Sequence, residues 1–237
     1  LAQDFEPSRL ERTKFAIDKL TQQLEQDRIG LIVFAGDAYM QLPITSDYVA
    51  ARSFAAQISP TMVSKQGTAI GAAIDLAASS FSSGSEGSRV IVVISDGENH
   101  EDDALAAAKA AAEKGIRIYT IGIGTPEGAP ISIDGEFIKD EQGDMVVSKL
   151  DEQTLEQIAL TTGGAYIRAT NRSLGLDEIV QKINEVEKKE LTSTVFEDFN
   201  EQYQYLIGLA LVLLLLEFAM LERRSRLLAR FNIFRKR

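Results

Sequence analysis

The chain has 237 residues, 45% hydrophobic and 25% charged, which is an ordinary globular composition with room for one medium domain and appendages. It contains no cysteine and one histidine, so disulfides, thiolate metal sites and histidine-rich zinc sites are excluded. The formal net charge of −10 is unevenly spread: residues 1–204 carry −15, whereas residues 223–237 carry seven bases and no acid, and the acidic body argues against nucleic acid as the main partner.

In chain order, a helix is predicted from Pro7 to about Glu25, since proline suits a first helical turn and Leu10, Ala16, Ile17, Leu20 and Leu24 recur at helical spacing. The continuous apolar run 29–35 reads as a strand, Gly36-Asp37 as a turn, and 38–44 as a returning strand. A helix over about 47–58 follows. Residues 66–80 form a small-residue helix opening at Gly67-Thr68, and 81–88 a loop. A strand (90–95), a helix ended by glycine (102–115) and another strand (116–124) come next. Residues 130–138 and 144–150 read as a hairpin-like insertion around Asp134-Gly135. A helix (151–162), a Gly163-Gly164 break, a strand (165–169) and a helix (177–190) close the domain. Strands that are apolar on both faces and alternate with helices define an α/β, doubly wound, mostly parallel sheet, the Rossmann-like class.

Residues 191–204 read as a juxtamembrane connector and 205–221 as a transmembrane helix, 17 residues making about 26 Å at the helical rise. Tyr203 and Tyr205 suit one interface, and Arg223 and Arg224 the other. The basic tail 222–237 would then be cytoplasmic, and the acidic domain 1–190 extracytoplasmic (periplasmic in a Gram-negative cell), anchored in the inner membrane. Glu217, about one turn inside the apolar run, would either snorkel to the interface or contact a partner helix.

In open α/β sheets, ligands bind outside the carboxyl ends of the strands. Asp96 ends the strand VIVVIS there, followed by Gly97, Glu98, His100, Glu101, Asp102 and Asp103. Asp102 and Asp103 are expected to cap the next helix. Thr68, at the opening of its helix, should come to the same end of the sheet. A hydroxyl and a carboxylate are hard oxygen donors suited to Mg²⁺, but two are too few alone. The glycines of IGIGTPEG (121–128) precede an extended, proline-containing segment rather than a helix, so they are no dinucleotide fingerprint.

GTAIGAAI (67–74) followed by VIVVISDGEN (90–99) resembles two loops of the von Willebrand factor A domain. In that family a D-x-S-x-S loop joins a Thr and an Asp to form a metal-ion-dependent adhesion site. The resemblance implies that Thr68 and Asp96 are metal ligands, with Gly67, Gly97 and Glu98 on the ligand-binding rim. DFEPSRLERTKFAI, IYTIGIGTPEGAPI, VVSKLDEQTLEQIA and TGGAYIRATN extend it to the Bat aerotolerance proteins over nearly the whole chain. The chain begins with Leu and contains no D-x-S-x-S loop, so it is expected to be a fragment without the family's first, central strand. Its sheet should have a gap, and Mg²⁺ or another divalent cation should be weakly held. The resemblance implies a membrane-anchored, non-enzymatic module of the cell envelope. It would take an acidic residue of a protein partner at the metal site, with other Bat proteins and a MoxR-type AAA+ ATPase as associates. The alternatives are a scaffold that binds partners without metal, for example through the 130–150 hairpin, and a metal-dependent hydrolase using Asp96, Glu98 and His100.

Overall fold

A computed structural model of the chain describes residues 2, 4–24, 27–63, 65, 67–82, 88–99, 101–133, 136–139, 143–171, 173–185 and 203–222. The chain divides into two compact units, Leu1–Glu185 and Val186–Arg237.

In the first unit, helix α1 (Arg9–Gln23) starts where the Ser8 hydroxyl accepts the Glu11 N–H, two residues later than the proline predicts. Strands β1 (Ile29–Phe34) and β2 (Ala38–Thr45) form an antiparallel hairpin, followed by α2 (Tyr48–Ala56). Helix α3 (Ile70–Ser80) begins later than Gly67-Thr68 because Gly67 has φ +124° and the Ala69 N–H bonds the Ala35 carbonyl. That bond keeps the approach to the helix extended against the end of β1. Strand β3 (Arg89–Ser95), α4 (Ala104–Glu113) and β4 (Ile116–Gly122) then form a parallel unit in continuous register.

The insertion is a nested hairpin. Strands β5 (Ala129–Pro130) and β8 (Val147–Ser148) pair outside β6 (Ser132–Ile133) and β7 (Glu136–Phe137), all antiparallel. The predicted turn at Asp134-Gly135 lies outside the described residues. Helix α5 (Glu152–Thr161), strand β9 (Tyr166–Arg168), parallel to β4, and helix α6 (residues 176–185) complete the unit.

Side chains alternate between the two faces of the parallel strands. Ile91, Val93, Ile116 and Ile118 pack on one face with Ile70, Ile74, Ile158 and the alanines of α4. Tyr119, Ile121 and Ile123 pack on the other with Phe5, Ile167 and Ile179, where Ala16 and Leu20 of α1 also lie. This double cover is what the uninterrupted apolar strands require. Among the described residues the main strands form two sheets, β1–β2 and β3–β4–β9. A cavity of about 370 Å³ lies between β1 and β3, lined by residues 29–34 and 90–94 and by Leu10, Ile17 and Leu20 of α1.

In the second unit a helix does form, α7 (Tyr203–Glu222). The predicted transmembrane span is corrected, however: no helix among the described residues is long and apolar enough to cross a membrane. Its apolar stretch, 205–221, is interrupted by Glu217 and measures about 26 Å, short of the roughly 30 Å hydrocarbon core. The topology inferred from that span, with a cytoplasmic tail behind it, loses its basis.

The Gly163-Gly164 break has two distinct physical reasons. Gly163 adopts φ +71° and open space surrounds it, so it serves only as the left-handed residue that ends α5. A Cβ on Gly164 would instead collide with the Ile118 carbonyl, where α5 turns into β9. In urea unfolding, Gly163→Ala should therefore cost about 1 kcal/mol, and Gly164→Ala clearly more, about 3 kcal/mol. Equal costs would contradict this division of roles.

Candidate functional site

The parallel strands end together, and each continuation is tied to its neighbours. The Ile123 N–H bonds the Ser95 carbonyl, the Ala169 N–H bonds the Gly122 carbonyl, and the Leu150 N–H bonds the Thr125 carbonyl. Asp96 follows β3 directly, and its carbonyl accepts the Asp151 N–H at 2.7 Å. Gly97 then turns the chain at φ +82°. A Cβ there would strike the Asp151 carbonyl oxygen and the Leu155 side chain. Gly97 was expected on an open rim; it is a buried close-packing position that holds β3 against the start of α5.

The Asp96 side chain is 24% exposed and belongs to a largely buried polar network. The Arg9 guanidinium makes a two-pronged ion pair with Asp4, Nε to Oδ1 and Nη2 to Oδ2, both at 2.7 Å. Nη1 of Arg9 donates to Ser148 Oγ at 2.7 Å, and Ser148 Oγ lies 2.7 Å from Asp96 Oδ2. Arginine has no acceptor, so the single Ser148 hydroxyl proton must point to Asp96. Arg9 also approaches Asp96 Oδ2 directly, at 3.4 Å. Gly124 completes the cradle: at φ +141°, its missing Cβ leaves the space that the guanidinium fills, which a Cβ would approach to 2.9 Å.

The rest of the acidic stretch divides its work among neighbouring elements. Glu98 accepts the Lys149 N–H at 2.8 Å, fastening the return strand of the insertion beside Ser148. Asn99 accepts the Ile70 N–H and donates to the Asp102 carbonyl. Glu101 pairs with Lys65 at 2.8 Å and packs beside Gly67, where a Cβ would come within 2.7 Å of it. Asp103 caps α4 by accepting the Ala106 N–H. Asp102 departs from expectation. It caps the other helix, accepting the Gly71 and Ala72 N–H groups at 3.0 and 2.7 Å, so its charge faces the positive end of α3. His100 lies outside the described residues.

Thr68 is half-buried in the extended approach to α3. It is not the helix cap, since Ala69 occupies that position and Asn99 and Asp102 take the first free N–H groups. The loops carrying Thr68 and Asp96 are thus stitched side by side, although no hydrogen bond joins the two side chains among the described residues. As hard oxygen donors they suit Mg²⁺ in kind but not in number. No group of three or more Asp, Glu, His or Cys among the described residues could hold a metal ion. Asp4, Arg9, Thr125 and Ser148 escaped the sequence reading. Arg9 meets Ser148 across 139 positions, and no local pattern encodes such a contact.

The family model for the von Willebrand factor type A domain matches residues 2–185. An aerotolerance-related membrane protein from Bacteroides fragilis, solved with multiple mutations to serines, is 51% identical with a TM-score of 0.75, covering 78% of this chain and 92% of that one. BatB from Bacteroides thetaiotaomicron is 47% identical with a TM-score of 0.73, covering 78% and 93%. An uncharacterized protein of Borreliella burgdorferi is 29% identical over 215 residues, and the match spans 89% of this chain but only 62% of that relative. At 14% identity and a TM-score of 0.53, covering 74% of this chain and 42% of that one, the mussel byssus proximal thread matrix protein 1 shares the fold; its structure has a zinc-occupied MIDAS motif.

Burial works against ionising Asp4 and is the largest single influence on it. The hydrogen bonds and charge of Arg9, joined by a backbone hydrogen bond and the Thr125 hydroxyl, outweigh it and hold the carboxyl below its ordinary value of 3.8. A carboxyl depressed in the folded state contributes stability above its unfolded pKa and loses it as pH falls through the folded one. Unfolding free energy should therefore decline as pH drops below about 4. Asp4→Asn should flatten part of that acid limb and lower stability at neutral pH by about 3 kcal/mol. An unchanged acid limb in chemical denaturation would refute the pairing.

Proposed function

Because the chain belongs to the von Willebrand factor type A domain family, we propose that the end of its sheet is a non-catalytic docking site in which a divalent cation recruits an acidic side chain of a partner protein. The observation that carries this reading is Asp96, partly exposed at the carboxyl end of β3, with the Thr68 loop fastened alongside through Asn99, Asp102 and Ala69. Asp96 and Thr68 would hold the cation, Mg²⁺ being favoured by their hard oxygens, and water and a partner carboxylate would fill its other positions. The cation supplies charge; the chain supplies orientation and a rigid rim, with Glu98 and Gly97 fixing the neighbouring backbone. With only two such donors, the affinity should be weak.

The similarity to the two Bacteroides proteins supports a role among Bat proteins. Other Bat proteins and a MoxR-type AAA+ ATPase are the proposed associates. Membrane association is proposed because the Bacteroides fragilis relative is a membrane protein. Calorimetric titration of Mg²⁺ should show weak binding that Asp96→Ala abolishes. Equal heats from the two proteins would sink the metal reading.

One observation favours a second, metal-free mode. Phe137, Met145 and Val147 of the inserted hairpin are 53%, 54% and 42% exposed, an apolar strip suited to a protein contact. Partner capture by the chain in EDTA and in Mg²⁺ separates the modes. Capture lost in EDTA supports the cation site, and capture unaffected by EDTA but lost in Phe137→Ser supports the hairpin.

A further inference from the structure

We infer that Arg9 is the cation already resident at Asp96, and that a divalent cation must compete with it. This rests on the docking-site reading above and adds two residues, Arg9 and Ser148, to that site. Three features make the guanidinium a built part of the site rather than a passing surface contact. It is enclosed, its side chain being 10% exposed, and Asp4, its two-pronged partner, is 9% exposed. It fits a cradle that Gly124 leaves open, with the Ser148 carbonyl oxygen 3.4 Å from Nη2. Its remaining prong is committed to Ser148 Oγ, and through that hydroxyl to Asp96 Oδ2.

The consequence for a metal ion follows from charge and donor count. One of the two Asp96 oxygens already accepts a hydroxyl proton and faces a positive charge at 3.4 Å. A divalent cation bound at Asp96 would meet the same positive charge a few ångströms further off, and like charges at that range repel in a partly dry site. The other oxygen, Oδ1, has the Ser95 hydroxyl at 3.5 Å, a much weaker claim. Asp4 balances Arg9 but does not cancel its field at Asp96, because its carboxylate sits on the far side of the guanidinium, bonded through Nε and Nη2, whereas Nη1 faces Asp96. Arg9 and Ser148 therefore set the affinity of the site downward. A partner or a rearrangement that moved the first turn of α1 would raise it.

The test is Mg²⁺ affinity measured by calorimetry on the chain and on its Arg9→Gln, Ser148→Ala and Asp96→Asn variants, each checked for folding by circular dichroism. Arg9→Gln should bind Mg²⁺ roughly tenfold tighter, about 1.4 kcal/mol, and Ser148→Ala, which breaks the relay but leaves the Asp4–Arg9 pair, severalfold tighter. Asp96→Asn should abolish binding. If Arg9→Gln fails to fold, Ser148→Ala decides the matter alone. Affinity unchanged or weaker in the folded variants, with Asp96→Asn still abolishing binding, overturns the competition and leaves the metal site standing. Indistinguishable binding by the unmodified chain and Asp96→Asn, or none by any of them, overturns the metal site itself and the competition with it.

Discussion

A guanidinium buried at the mouth of a parallel sheet must find its charge and all its donors matched, and the candidate site is organised around that demand. Arg9 meets it with Asp4 on one side and Ser148 on the other. Satisfying one side chain draws together the segment before α1, the loop after β4 at Gly124, and the return strand of the insertion. Asp96 receives its hydrogen bond only because Ser148 has already accepted one from Arg9 and has a single proton left to give. Asp96 is therefore held by a chain of obligate donors that begins more than eighty positions away in sequence.

The same economy governs the run of acids after β3. Six consecutive loop positions from Glu98 to Asp103 could look like a single negative patch. The described ones instead serve separate neighbours: a backbone N–H of the insertion, the start of α3, a lysine and the start of α4. Each carboxylate is placed where free N–H groups or a cation would otherwise lack a partner, so the stretch ties loops together more than it gathers charge. Asp96 differs from them in standing at the strand end itself, partly exposed, at the place where doubly wound sheets bind ligands. The chain belongs to the von Willebrand factor type A domain family, and the local geometry gives Asp96 its neighbours.

Glycine marks the tightest approaches of this site. Gly97 lets β3 lie against the Asp151 carbonyl, Gly124 admits the guanidinium, and Gly71 leaves room for the Asp102 carboxylate at the head of α3, where a Cβ would come within 2.9 Å. These three positions share no local sequence pattern. Their common cause is that backbone or a charged head group passes where a side chain would stand.

The alternation of apolar strands with helices, written in residues 90–94 and 116–122, was enough to specify an α/β domain with a parallel sheet covered on both faces, because a strand that is apolar on both sides needs cover on both. Asp96 was legible for the same reason: a carboxylate ending a buried strand has one place to go. The glycine-ended helices and the inserted hairpin were legible through turn chemistry. The run 205–221, in contrast, overstated what the helix there can do: tyrosines before an apolar run and arginines after it read as a membrane span, yet no helix among the described residues is long and apolar enough to cross a membrane. Which helix Asp102 caps, what Glu98 fastens and which cation stands beside Asp96 were decided by tertiary structure alone. Hydrogen-bond donors and charges seek partners through space, and the chain distances of 31, 51 and 87 positions that separate these pairs leave no trace in local sequence.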